Sequence, residues 1–199
     1  MSLPTQLTLL RIVMTFVIMT LLFLPGLTAK VAALVCFLLA SATDWLDGYL
    51  ARHWRQVTAL GALLDPLADK VLVLGVFLAF VQLRLVPAWM VLVIACREFL
   101  ITGVRVFAAS RHVVLSAARE GKHKTVSQFV TILIVLIVVL LQDLPAAQRL
   151  STASTEAMRW TVLAALWITM LLTLISGISF LWRHRDVLLD ATLRSPDER

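Results

Sequence analysis

Charge is scarce in this 199-residue chain: Asp, Glu, Lys and Arg make up 15% of it, and only 12 residues are acidic. Soluble domains carry about 25% charged residues and about 45–50% apolar ones. Here 60% of residues are apolar and the mean hydropathy is +0.92, which excludes an ordinary soluble domain. Cysteine is nearly absent as well. Cys36 and Cys96 both fall inside apolar runs, with no CxxC and no histidine at ligand spacing, so two free buried thiols are expected. Internal repeats and low-complexity tracts are missing. So is any basic helix or aromatic-interleaved basic patch apart from the apolar segments, and the net charge of +6 therefore does not point to nucleic acid.

What the chain does have is long apolar runs. Six can be placed, at roughly 7–24, 30–50, 66–83, 86–108, 126–142 and 157–181. About 20 apolar residues in a helix cross a hydrocarbon core of roughly 30 Å. The pattern predicts an all-α polytopic membrane protein, a bundle of six transmembrane helices over residues 1–185 with a short cytoplasmic tail at 186–199. The first run is too long for the apolar part of a signal peptide and no positive charge precedes it, so it is read as a retained helix.

Loop charges set the orientation. Arg52, Arg55, Arg111, Arg119, Lys122, Lys124, Arg183, Arg185, Arg194 and Arg199 lie on one side; Lys30, Arg84, Arg149 and Arg159 lie on the other. Ten against four predicts that both termini and the two even-numbered loops are cytoplasmic, in a multi-pass protein of a bacterial-type inner membrane. Trp89 and Trp182, near span ends, read as interfacial anchors, and Arg11 reads as a snorkelling contact to headgroups.

The few acids are not scattered. Four of the twelve fall in one stretch: Asp44 and Asp47, three apart, then Asp65 and Asp69, four apart. Each pair shares one face of a helix. The chain leaves the membrane after Leu50, turns through 52–60 and re-enters near Asp65, so two antiparallel helices present four carboxylates at the cytoplasmic edge. Such a cluster repels itself unless it is protonated or neutralised by cations. Oxygen-only ligands suit hard ions such as Mg²⁺ or Mn²⁺, one or two of which are the usual apparatus of phosphoryl chemistry. Gly48 lets a ligand approach the backbone closely, Gly61 lies on the same hairpin, and Arg52 can fork onto phosphate. An ion or proton transporter would instead spread its ionisable residues near the midplane of several helices, with paired interrupted helices.

Asp44, Asp47, Gly48, Ala51, Arg52, Gly61, Asp65 and Asp69 reproduce D-x2-D-G-x2-A-R-x8-G-x3-D-x3-D, eight fixed positions across 26 residues. The chain thereby resembles the CDP-alcohol phosphatidyltransferases. The stretches Leu3–Ile12, Leu64–Val73, Arg97–Arg105 and Gly121–Thr125 are similar to members that use glycerol 3-phosphate; from about residue 131 onward only the hydrophobic pattern is shared. Many relatives carry Asn near positions 5–6, where this chain has Thr5 and Gln6.

The resemblance implies a homodimeric six-helix membrane enzyme that moves a phosphatidyl group from CDP-diacylglycerol to glycerol 3-phosphate, releasing CMP. It implies metal on Asp44, Asp47, Asp65 and Asp69, with Asp69 as general base, and a CDP pocket of Asp44, Gly48, Ala51, Arg52 and Gly61. A phosphorylated acceptor needs cations of its own: Arg105, Lys122 and Lys124 are the candidates, while Arg97 is expected to be tied to Glu98 or to the bundle. Sister enzymes that use phosphatidylglycerol, serine or inositol phosphate share the eight positions, so these do not choose the acceptor.

Overall fold

A computed structural model describes residues 3–54, 59–110, 120–144 and 151–185. Among them the chain is entirely helical: α1 (Leu3–Phe23), α2 (Leu27–Trp54), α3 (Ala59–Gln82), α4 (Ala88–Ser110), α5 (Glu120–Gln142) and α6 (Thr152–Arg183). The all-helical, six-element reading of the sequence holds. Lys124–Gln142 and Thr152–Arg183 are long and apolar enough to cross a membrane; Thr8–Phe23, Leu27–Thr43 and Lys70–Gln82 are shorter apolar stretches.

The helices outrun the apolar runs from which they were read. α2 continues to Trp54 and α3 already begins at Ala59, where a turn through 52–60 is expected. Apolarity marks what lies in hydrocarbon, whereas helix formation needs only backbone hydrogen bonds, so polar turns at a bundle end remain helical. Consequently Gly48, Ala51, Arg52, Gly61 and Asp65 all lie on helix. Pro66, inside α3, has no N–H to give the Ala62 carbonyl, which frees one acceptor in the turn before Asp65.

Two short connections fix antiparallel neighbours. Pro25 and Gly26 end α1, and Gly26 takes φ +101°, a backbone state open to glycine. The buried Lys30 then reaches back and donates to the carbonyls of Leu22 and, at 2.9 Å, Leu24, capping the end of α1. Between α3 and α4, Arg84 has φ +58°, and the amides of Arg84 and Leu85 close the turn onto Val81 and Phe80 at 2.9 Å each.

α3 is the central helix. Its Leu72, Val76, Phe77 and Phe80 are fully buried, joined in the core by Ile18 and Leu22 of α1, Phe37 of α2 and Ile132 and Leu136 of α5. α1 packs chiefly on α2 and α3, and α5 and α4 both pack on α6. Threonines stitch α5 to α6: Thr131 and Thr169 share a 2.8 Å hydroxyl bond, and Thr169 donates to the Ser127 carbonyl at 3.0 Å. Outward positions are apolar, with Val13, Phe16, Leu92, Val106, Ile175, Ile178 and Trp182 exposed. That is the surface expected of a bundle that faces lipid. Cys36 and Cys96 are both free, as expected, but neither is buried: Cys36 is half-buried and Cys96 exposed.

Gly75 is where α1 closes on α3. A methyl group placed there would come within 2.6 Å of Thr15 Cγ2, on the neighbouring helix. Gly75→Ala is expected to cost about 1–3 kcal/mol through this overlap. Melting of the detergent-solubilised protein measures the loss, and Thr15→Ser, which removes Cγ2, should restore most of it. An equal loss with and without Thr15→Ser would remove this contact as the cause.

Candidate active site

The signature residues fall on the facing ends of two consecutive helices in the chain. Asp44, Asp47, Gly48, Ala51 and Arg52 occupy the last turns of α2; Gly61, Asp65 and Asp69 occupy the first turns of α3. Only residues 55–58 separate the two helices, so both ends lie at one end of the bundle. On the helical backbone the i,i+3 pair and the i,i+4 pair each share a face. The side chains of all eight lie outside the described residues, as does that of Lys122.

Beside this end stands a second constellation, built on Glu98 of α4. Its Oε2 accepts from Lys70 Nζ of α3 at 2.7 Å; its Oε1 accepts from Arg97 Nη1 at 3.0 Å and from Lys124 Nζ of α5. The side chains are nearly closed off from solvent: Glu98 is 8% exposed, Lys124 12% and Lys70 14%. Arg97 continues the network into α6, with Nε donating to the Thr173 carbonyl at 3.1 Å and Nη2 to Ser176 Oγ at 2.6 Å. Gly177 makes room for it, since a Cβ there would meet Arg97 Cγ at 3.0 Å. One carboxylate thus ties together α3, α4, α5 and, through Arg97, α6.

The sum of charge in this cluster is informative. Among the described residues, three cations and one carboxylate leave two positive charges over. Excess positive charge in an apolar interior is costly, and a bound anion relieves it. Lys70 directly follows Asp69 in α3, so the cationic cluster adjoins the aspartate end.

The sequence candidates separate accordingly. Arg97 is tied to Glu98 and the bundle, as expected. Lys124 stands in the cluster, on Glu98. Arg105, two turns along α4 from Glu98, is an exposed residue with its guanidinium 5.1 Å from the centre of the Phe180 ring. Lys70 and Glu98 were not singled out as site residues; their signal was an ionisable side chain within or beside an apolar run. Arg11 departs from expectation. It is 1% exposed and buried in the bundle, not snorkelling to headgroups.

An apolar groove of about 870 Å³ lies between α1, α3 and α4. Lys70 stands at one end and Trp89 toward the other, with Phe16, Leu74, Leu78 and Phe99 among the lining residues.

The sequence model of the family described as CDP-alcohol phosphatidyltransferase matches residues 1–175. The chain is 35% identical to a Bacillus subtilis protein named CDP-diacylglycerol–glycerol-3-phosphate 3-phosphatidyltransferase, over 94% of this chain and 97% of that one. Proteins of the same name from Rickettsia typhi and Cereibacter sphaeroides are 33% and 30% identical, over 90% and 95% of this chain and 94% and 98% of theirs.

Glu98 carries the cluster, so Glu98→Gln should strand three cations and destabilise the fold by about 3–5 kcal/mol. A second substitution, Lys124→Met, removes one stranded charge and should recover part of the loss. Thermal melting of the single and double variants checks this; a double variant no more stable than Glu98→Gln would sink the charge argument.

Proposed function

The chain belongs to the CDP-alcohol phosphatidyltransferase family, and from that premise we propose that it transfers the phosphatidyl group of CDP-diacylglycerol to glycerol 3-phosphate, yielding phosphatidylglycerophosphate and CMP. One observation carries this reading: the full eight-position signature lies on the adjoining ends of α2 and α3, in a chain similar over nearly its whole length to proteins of that name.

The donor set fits a hard divalent cation, because four carboxylates on two adjoining helix ends offer oxygen and nothing softer. Asp44, Asp47, Asp65 and Asp69 would hold Mg²⁺ or Mn²⁺, one ion or two. Bound there, the ion supplies positive charge to the pyrophosphate and to the departing CMP. The chain's own groups do the rest. Asp44, Gly48, Ala51, Arg52 and Gly61 form the CDP pocket: the glycines admit the nucleotide close to the backbone and Arg52 forks onto phosphate. The acceptor hydroxyl bonds to the lipid-side phosphorus as the bond from that phosphorus to the bridging oxygen breaks, and Asp69 takes the hydroxyl proton.

The acceptor's phosphate goes to Arg105, Lys122 and Lys124. The surplus positive charge around Glu98 supports this placement, since a phosphomonoester is the kind of anion that would balance it. The apolar groove that starts at Lys70 offers the donor's acyl chains a surface of their own polarity. The enzyme works as a homodimer in an inner membrane, with six helices spanning and both termini and the active site on the cytoplasmic side, as the loop charges favour.

CMP release from radiolabelled CDP-diacylglycerol, measured with glycerol 3-phosphate, phosphatidylglycerol, serine and inositol phosphate as acceptors, tests the reaction. Glycerol 3-phosphate alone should support turnover, and chelation should abolish it until Mg²⁺ or Mn²⁺ is returned. Asp69→Asn should retain donor binding yet lose about 100-fold or more in kcat, the scale of general-base catalysis. Metal-independent turnover, or a preference for another acceptor, would overturn the corresponding part of the assignment.

A separate measurement addresses the acceptor cations. Lys124→Ala leaves Glu98 paired with Lys70 and Arg97, so the fold should survive. The KM for glycerol 3-phosphate should rise about tenfold in Lys124→Ala and in Arg105→Ala, with the KM for the donor lipid unchanged. An unchanged acceptor KM in both would leave these residues as bundle contacts and anchors.

A further inference from the structure

Arg11 is the only charged residue of α1, and it is 1% exposed. A guanidinium does not lose its charge, so its burial in an apolar bundle calls for a countercharge or for polar acceptors, and a countercharge answers it most fully. α1 packs chiefly against α2 and α3 and carries no carboxylate itself. The acids of α2 are Asp44 and Asp47; those of α3 are Asp65 and Asp69. Glu98, on α4, already holds three cations.

Helix register narrows the choice. α1 and α3 run parallel, each antiparallel to α2, and Thr15 lies against Gly75. One turn back from Thr15 is Arg11, and one turn back from Gly75 is Val71, a step of about 6 Å in each helix. Helical side chains tilt toward the N-terminus, so the long Arg11 side chain reaches a further turn in that direction, to the level of Asp69. On the other flank, Lys30 meets Leu22. Counting from that contact along the antiparallel pair places Asp44 at the level of Thr8, one turn from Arg11. Asp44 and Asp69 are each the deeper member of their pair. Thr8 and Thr15, also 1% exposed, flank Arg11 along the same buried face, and Thr15 Oγ1 donates to the Arg11 carbonyl at 2.9 Å.

We propose that Arg11 is the built-in countercharge of the aspartate cluster, neutralising its inner pair, Asp44 and Asp69, and thereby positioning the carboxylate assigned as the base. The consequence for turnover rests on the function proposed above; the charge coupling does not. Four carboxylates gathered at one bundle end repel one another whenever no cation is bound. A fixed guanidinium behind the inner pair relieves part of that repulsion and holds the cluster in place. It enters from the membrane side, opposite to the cytoplasmic approach of substrates and ions.

Thermal melting of chelator-treated protein in detergent tests the coupling without any bound ion. Arg11→Gln should lower Tm by about 5 °C or more. In proteins that already carry Asp69→Asn or Asp44→Asn the same change should cost less than half as much, because neighbouring charges are not additive. Arg11→Lys, which keeps the charge, should recover most of the stability. A loss of equal size in all three backgrounds would overturn the proposal, and so would a lysine variant as unstable as the glutamine one. Should Arg11→Gln fail to fold on its own, folding of its combination with Asp69→Asn would count as rescue, and failure in every background would count against the proposal. Because no turnover is measured, the outcome is independent of which acceptor or metal the enzyme uses.

Discussion

A charge inside an apolar helical bundle must be answered by another polar group, and the placement of the buried ionisable residues described follows from that constraint. Lys30 is answered by the free carbonyls at the end of α1. Arg97 is answered by Glu98, by the Thr173 carbonyl and by Ser176. His184 sits on the Phe180 carbonyl at 3.0 Å. None of these contacts adds much net stability, because desolvation offsets the attraction. They specify instead which helices meet and at what depth, which apolar packing alone determines poorly.

The same constraint divides the molecule. α1, α2 and α3 carry the four aspartates of the signature together with Arg11, whereas α4 and α5 carry Arg97, Arg105, Lys122 and Lys124. On the proposed reading this division matches the two reactants. A pyrophosphate donor that comes with a divalent cation suits the aspartates of α2 and α3, and a phosphomonoester acceptor that comes without one suits the cations of α4 and α5. Lys70 and Glu98 join the two sets, a cation of α3 bound to an anion of α4.

Much of this was legible in the sequence, for reasons that differ residue by residue. Six helices could be counted because each carries a long apolar run. Their ends could not, since α2 and α3 run on for several polar residues where apolarity no longer reports on structure. The signature was readable because it is a spacing, and spacing survives without coordinates. The Glu98 cluster was not, because Lys70, Glu98 and Lys124 are 26 and 28 residues apart and come together only through packing of α3, α4 and α5. Arg11 misled for a related reason. An arginine near the start of an apolar helix looks the same in sequence whether it faces lipid headgroups or the bundle, and only the burial of the face it shares with Thr8 and Thr15 separates the two.

Packing and charge contacts come together in α3. Its outer half is packed tightly, with Gly75 closed against Thr15 and Leu72, Val76, Phe77 and Phe80 fully buried. Its inner half carries Asp65, a proline with no amide proton, Asp69 and Lys70. A closely packed stem therefore carries the signature carboxylates of α3. Lys70, anchored on Glu98, fixes the rotation of the helix just where Asp69 emerges from it, because adjacent residues on a helix cannot rotate independently. With α1 held at Gly75 on one flank and α4 held at Glu98 on the other, the backbone that carries the carboxylate assigned as the base is held by packing and charge contacts that need neither substrate nor metal. Such preorganisation leaves less reorganisation for the reacting groups to supply at the moment of transfer.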